Sequence, residues 1–163
     1  MIRQNILITG ASSGLGKGMA IEFAKMGRNL ALCARRMENL ESLKQELLII
    51  NPDIKVFIRS LDVNEHDQVF EVVNAFAADL GTLDRVIVNA GMGKGASLGT
   101  GYFKANKQTA VTNFVSALAQ CEAAMEIFRS QNAGHLVTIS SVSAVRGARR
   151  AMTVYAATKA ALT

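Results

Sequence analysis

Several things are scarce in this 163-residue chain, and each scarcity excludes something. Cysteine occurs twice, at Cys33 and Cys121, far apart and without Cys-x-x-Cys spacing. That reads as reduced thiols in a core rather than a disulfide framework or a zinc site. Histidine also occurs twice, at His66 and His135, with no ligand partners at useful spacing, so no metal site is expected. Proline occurs once, at Pro52, where Asn51-Pro52-Asp53 marks a turn. No apolar run approaches the roughly 20 residues of a membrane helix. There is no low-complexity segment, no internal repeat and no signal-peptide layout before the first apolar run. The formal net charge is +5. The basic residues are scattered, which argues against nucleic acid as partner and suits an anionic ligand. The expectation is a cytoplasmic, soluble chain of one domain, residues 1–163, away from membranes.

What is abundant is apolar: half of the residues, enough for a sizeable core. The chain is organised around residues 6 to 18, Ile-Leu-Ile-Thr-Gly-Ala-Ser-Ser-Gly-Leu-Gly-Lys-Gly. A strand-length apolar run enters glycines at Gly10, Gly14 and Gly16, and a helical stripe follows at Leu15, Met19, Phe23 and Met26. Glycines let the backbone turn sharply and approach a ligand closely. The helix start adds unpaired N–H groups and the positive end of a dipole. The product is a seat for a phosphate or pyrophosphate, its spacing Gly-x-x-x-Gly-x-Gly rather than Gly-x-Gly-x-x-Gly. The alternative is an ordinary strand-turn-helix, and the strand before and helix after favour the seat.

The pattern then repeats. Apolar runs at Leu30–Cys33, Val56–Ile58, Val86–Val88 and His135–Ile139 alternate with helical stripes. The stripes are Leu40, Leu43, Leu47 and Ile50; then Val69, Val72, Val73, Phe76 and Leu80; then Val111, Phe114, Leu118, Cys121 and Met125 on one long helix. A further helix starts near Met152. Alternation of apolar strands with amphipathic helices predicts an α/β fold, a doubly wound, Rossmann-like parallel sheet covered on both faces. Ligands bind outside the carboxyl ends of such strands. The polar groups at those ends are the glycine turn, Arg35 with Arg36, Asp62, Asn89, and Ser140 with Ser141.

Tyr155 and Lys159 stand four apart on the last helix and so face one way. A nearby ammonium favours tyrosinate and lowers a phenol's pKa from about 10, which suits proton exchange with an alcohol or carbonyl. Alone, such a pair is ordinary on a solvated helix face. After the second strand comes Cys33-Ala34-Arg35-Arg36, with no acid until Glu38. A carboxylate there would suit a ribose 2′-hydroxyl; guanidinium groups suit a 2′-phosphate, so Arg36, or Arg35 beside it, favours NADP(H) over NAD(H) unless both are merely solvated.

The segments Thr9-Gly10-Ala-Ser-Ser-Gly14-Leu-Gly16, Asn89-Ala90-Gly91, Ile139-Ser140-Ser141 and Tyr155-Ala-Ala-Thr-Lys159 occur in this order. Together they resemble the short-chain dehydrogenase/reductase family, over the whole chain. The resemblance implies an NADP-dependent oxidoreductase moving hydride between the cofactor and a small alcohol or ketone, commonly as a homodimer or homotetramer. It implies cofactor contacts from Gly10, Ser12, Ser13, Gly14, Leu15 and Gly16, from Asp62 and Val63 at the adenine, and from Asn89, Ala90 and Gly91. Tyr155 would be the general acid/base, Lys159 the ribose ligand, Ser141 the hydroxyl on the substrate oxygen, and Asn113 the holder of a relay water. The loop from Ser141 to Tyr155 is one residue longer than the family's usual one, which leaves Ser140 and Ser143 open. Asn113 could instead mark a helix kink or a solvated position. Other readings are a dinucleotide-binding module without catalysis, and an interaction protein using an apolar surface at Ala110, Phe114 and Ala117. Arg146, Arg149 and Arg150 could draw an anionic substrate such as an acyl carrier, or simply face solvent.

The sequence stops at Thr163, inside the Tyr155 helix, with no Gly or Pro stop. The family continues with two further strand units, without which the fifth strand keeps an open edge. The expectation is a fragment or a truncated product that turns over weakly or not at all by itself. Expressing it beside a C-terminally extended version should give turnover only in the latter; equal turnover by both would contradict this.

Overall fold

The computed structural model describes residues 3–93, 95–147 and 150–163. Strands β1 (Asn5–Thr9), β2 (Asn29–Ala34), β3 (Val56–Ser60), β4 (Arg85–Val88) and β5 (Leu136–Thr138) alternate with helices. These are α1 (Gly14–Lys25), α2 (Met37–Ile50), α3 (His66–Leu80), α4 (Phe103–Ala110), α5 (Ser116–Gln131) and α6 (Thr153–Ala160). Every strand pairing is parallel, in the order β3-β2-β1-β4-β5. The expected doubly wound sheet is therefore present. Between β3 and β4 the chain crosses from one side of β1 to the other, so the order reverses beside β1, where a crevice opens.

Successive strand residues point to opposite faces, and here both faces are dry. Leu7, Ala31, Val86 and Val88 pack with Val69, Val73 and Phe76 of α3 and with Ala123, Ala124 and Ile127 of α5. Ile6, Ile8, Leu30, Leu32 and Ile87 pack with Ala20 and Ala24 of α1 and with Leu40, Leu43 and Leu47 of α2. This is why the strands read as unbroken apolar runs. Each of these large side chains contributes about 1.5–3 kcal/mol by burial.

Two helical stripes differ from expectation. On α1 the residues that meet the sheet are Gly16, Ala20 and Ala24, whereas Leu15 is 70% and Met26 58% exposed. Small residues let this helix lie close on the strands, and the larger Met19 and Phe23 only flank the contact. The expected single long helix is broken into α4, a π-helical turn at Val111–Val115, and α5. The turn rotates the faces, so Ser116, Ala117, Gln120 and Ala124 go inside while Phe114 and Leu118 are largely exposed. Ala117, expected on an outer apolar surface, is buried. Strand β5 pairs only with β4 among the described residues, and it is shorter than the expected His135–Ile139.

At the amino ends of the strands, Arg85 Nε donates to His135 Nδ1 at 3.0 Å. Burial lowers the His135 pKa below its ordinary 6.5, and Arg3 and Arg85 push it the same way. The unfolded ring takes a proton at higher pH than the folded one. Stability should therefore fall as pH drops below about 6.5 and level off once the folded ring also protonates. His135→Gln, whose side-chain oxygen can still accept from Arg85, should flatten that slope in urea midpoints taken from about pH 5 to about pH 8. An unchanged slope would refute the assignment.

Candidate active site

The crevice begins where the β1–β4 ladder ends, at Ile8 beside Ile87. Beyond that point side chains take over. Thr9 Oγ1 accepts the N–H groups of Asn89 and Ala90, both at 3.1 Å, and donates to the Ile87 carbonyl at 3.4 Å. Asn89 Nδ2 donates to the carbonyls of Thr9 at 2.9 Å and Gly10 at 3.3 Å. The two central strands are thus held at a fixed spacing as they diverge into loops, and the Asn89 and Ala90 N–H groups and the Thr9 and Gly10 carbonyls find partners there.

Close approach explains two of the glycines. A Cβ on Gly16 would lie 2.5 Å from the Gly10 carbonyl oxygen and 2.7 Å from Asn89 Nδ2. A Cβ on Gly10, whose φ is 65°, would lie 2.9 Å from Ala90 Cα. Helix α1 therefore starts directly behind the turn, with Leu15 of its first turn at the cleft. Ser13 occupies the N-cap position without capping the helix through its hydroxyl. Instead Arg36 Nη2 donates to both Ser12 Oγ and Ser13 Oγ, each at 3.1 Å. A guanidinium, two hydroxyls and a helix start converge there, a donor set that fits phosphate oxygens.

These elements enclose a cleft of about 480 Å³. Gly10, Ser12, Ser13 and Leu15 line it from the turn, Arg35 and Arg36 from the end of β2, Asp62 and Val63 from the end of β3, and Asn89, Ala90 and Gly91 from the end of β4. Gly16 lies beneath the turn and Gly14, φ 57°, at the exposed helix start; neither lines the cleft. Sequence reasoning missed Asn64, Met92, Gln108 and Thr112, which also line it. Asn64 directly follows Asp62-Val63 and Thr112 directly precedes Asn113, the one signal that could have found them.

The remaining candidates stand at the Gly91 end. Lys159 is 6% exposed, and its Nζ donates to the Ile139 carbonyl at 2.6 Å. The same Nζ is 5.9 Å from the centre of the Tyr155 ring and 3.7 Å from where a Gly91 Cβ would stand. Burial lowers the Lys159 pKa below its ordinary 10.5. An ammonium has three donors, so two remain for a ligand. Asn113 lies within the π-helical turn and is 1% exposed. It accepts from Met92 N–H at 2.8 Å and donates to the Met92 carbonyl at 2.8 Å and to Thr158 Oγ1 at 3.3 Å. It thereby clamps the exit of β4 to α6, and the helix does break at this residue.

Ser140 and Ser141 differ in what their hydroxyls already do. Ser140 Oγ is shared between the Lys159 carbonyl at 3.2 Å and Thr163 Oγ1 at 2.6 Å. Ser141 Oγ accepts from Ser143 N–H at 3.2 Å, capping a 3-10 turn at Val142–Ala144, and keeps its proton to donate. The loop from Gly91 to Gly101 packs close to α6's approach: a Cβ on Gly95 would meet the Ala151 carbonyl at 2.5 Å. Arg146 is exposed and does not line the cleft. Arg149 and the Arg150 side chain lie outside the described residues. His66 is paired with Ser116. Both cysteines are free, and burial pushes the Cys33 thiol up to about 12. No group of three or more metal-ligating side chains occurs among the described residues, and no described helix is long and apolar enough to cross a membrane.

Comparison with known proteins agrees with this architecture. The family model described as short chain dehydrogenase matches residues 4–163. An uncharacterised oxidoreductase of Mycobacterium tuberculosis (strain ATCC 25618 / H37Rv) is 55% identical over 97% of this chain and 62% of its own length. An NADP-dependent 3-hydroxy acid dehydrogenase of Schizosaccharomyces pombe is 33% identical over 98% of this chain and 61% of its own. The crystal structure of levodione reductase superposes with a TM-score of 0.90 at 30% identity, covering 99% of this chain and 63% of that one. The chain thus spans about three fifths of the length of the relatives it matches.

The close approach behind the turn is testable with two neighbouring glycines. Gly16→Ala should cost about 2 kcal/mol or more, because backbone rather than a flexible side chain is in the way. A Cβ on Gly18, two residues on and on the exposed side of the helix, meets nothing within 4 Å. Gly18→Ala should therefore stabilise by about 1 kcal/mol. Urea denaturation decides; similar effects at both positions would contradict the packing described.

Proposed function

The chain belongs to the short-chain dehydrogenase/reductase family, and from that premise we propose that it binds NADP(H) and serves an oxidoreductase acting on a small alcohol or ketone. The observation that carries the cofactor choice is Arg36 held between Ser12 Oγ and Ser13 Oγ, with no carboxylate between Cys33 and Met37. A 2′-phosphate replaces no existing charge pair there and gains a guanidinium and two hydroxyls, with Arg35 alongside. The fission yeast relative's NADP dependence supports the same choice.

Within this reading the chain's residues divide the work. Ser12 to Gly16 and the start of α1 hold the pyrophosphate, Asp62 and Val63 the adenine, and Asn89 to Gly91 the middle of the dinucleotide. Lys159 directs its two remaining donors to the ribose beside Gly91. When bound, the nicotinamide supplies or accepts the hydride. Tyr155 Oη gives its proton to the substrate oxygen in reduction and takes one in oxidation. Ser141 donates a hydrogen bond to that oxygen as charge develops on it. Asn113, by fixing Met92 and Thr158, sets where a relay water can sit. The proposal concerns a protein of the relatives' length. It includes a homodimer or homotetramer in the cytoplasm; the exposed Phe103, Phe114, Val115 and Leu118 along α4 and α5 support the assembly.

The test is binding. Dissociation constants for NADPH and NADH should favour NADPH by about 100-fold in the parent. Arg36→Ala should weaken NADPH by about 10- to 100-fold and leave NADH nearly unchanged. Equal affinity of the parent for both nucleotides would overturn the cofactor assignment.

A further inference from the structure

The cleft uses the carboxyl ends of the strands. Their amino ends carry a second concentration of charge, which no step of the proposed reaction uses. Arg85 opens β4 and His135 directly precedes β5, and Arg85 Nε donates to His135 Nδ1 at 3.0 Å. With Nδ1 as the acceptor, the neutral ring keeps its proton on Nε2, free to donate. The Arg85 guanidinium also lies over the Phe23 ring of α1, 5.8 Å from its centre. Arg28, in the turn between α1 and β2, is held by Gln4. Its Nη1 donates to Gln4 Oε1 at 3.1 Å, and Gln4 Nε2 donates to the Gly27 carbonyl at 2.6 Å. Arg3 precedes β1 and is exposed. Neutral partners thus fix Arg28 and Arg85 and leave most of each guanidinium fork unspent.

The electrostatics make these groups mutual neighbours. Burial first, then Arg3 and Arg28, lower the Arg85 pKa below its ordinary value. Burial first, then Arg3 and Arg85, do the same to His135. The charges acting on both groups are cationic. Among the described residues, none of Arg3, Arg28 and Arg85 makes an ion pair. The acids nearest in sequence are engaged elsewhere. Asp84 Oδ2 accepts the N–H groups of Gln4 at 2.7 Å and Asn5 at 2.9 Å, and Glu22 pairs with Lys25. Like charges held together without a counter-charge cost stability, and a bound anion offsets that cost. We propose that Arg3, Arg28, Arg85 and His135 form a binding site for a phosphate-class dianion, at the opposite end of the sheet from the cleft. Guanidinium forks match phosphate oxygens, and donors that arrive from separate segments suit a tetrahedral anion better than a planar carboxylate. The inference is independent of what the cleft binds.

The experiment titrates inorganic phosphate into the relatives'-length protein at about pH 8, where a free imidazole is neutral, and at constant ionic strength. Calorimetry gives the Kd, and the NMR signals of the His135 ring, assigned by their loss in His135→Gln, report the place. Phosphate should bind with a Kd of about 1 mM or tighter and move the His135 signals to saturation at the same concentration. Acetate, the planar control, should bind at least about 10-fold more weakly. Arg85→Gln and Arg28→Gln should each weaken phosphate about 5-fold or more at this site. Arg36→Ala, which removes a guanidinium from the cleft, should leave the His135 response as it was. Arg28 lies in a turn, so its variant keeps the question answerable if Arg85→Gln fails to fold. Glycerol phosphate distinguishes the source of the anion: affinity equal to that of inorganic phosphate extends the site to esters, and weaker binding assigns it to the free ion, the site standing in both cases. His135 signals that stay still, acetate and phosphate acting alike, or a response unchanged in both arginine variants would overturn the inference. Failure to bind NADP(H) would overturn the cofactor reading alone.

Discussion

The hydrogen bonds between Thr9 and Asn89 take over where the ladder between the two central strands stops, and the cleft depends on them. A parallel sheet that reverses its order has a gap at its carboxyl edge. Without polar groups across that gap, the carbonyls of Thr9 and Gly10 and the N–H groups of Asn89 and Ala90 would need water as their partner. Thr9 and Asn89 satisfy them and set the gap's width. The absence of side chains at Gly10 and Gly16 then lets the turn and α1 sit against that staple. The start of α1 is placed by this contact rather than by the glycines' flexibility alone.

The π-helical turn plays a comparable part at the other end. A π turn offsets the helix by widening one coil, and such turns recur at functional sites. Here it brings Thr112, Asn113 and Ser116 inward together. Thr112 and Ser116 hold the loop after β3 through Asn64, and Asn113 holds the loop after β4 and α6. Two loops that line the cleft, and helix α6, converge on five residues of backbone. The break in the helix is what allows one element to hold both the loop after β3 and the Tyr155–Lys159 end.

Much of this was legible in the residues, and the reason is locality. The doubly wound parallel fold class follows from apolar runs alternating with amphipathic stripes. The glycine turn, Arg36 and Asn89 sit at strand ends, where a parallel fold must place its ligand. What was not legible depends on distant contacts. Burial on α1 follows closeness to the sheet, so Gly16, Ala20 and Ala24 go inside, and reading large apolar residues as buried misplaced Leu15 and Met26. The helix break at Asn113 requires Met92 and Thr158, 21 and 45 residues away in sequence. Nothing local marked Asn64, because its partners, Thr112 on the π turn and Ser116 just after it, are 48 and 52 residues distant. The hydrogen bonds of Ser140 to Lys159 and Thr163, 19 and 23 residues away, are likewise revealed by no local pattern.

The account's central claim is that a dinucleotide lies along the strand ends with its reactive ring beside the phenol of α6. A crystal structure of the relatives'-length protein with NADP⁺ tests it most directly. The account predicts the 2′-phosphate on Arg36, the pyrophosphate over Ser13 and the start of α1, and the nicotinamide carbon that exchanges hydride facing the Tyr155 hydroxyl. Density for the nucleotide elsewhere, or with its nicotinamide directed away from Tyr155, would contradict it.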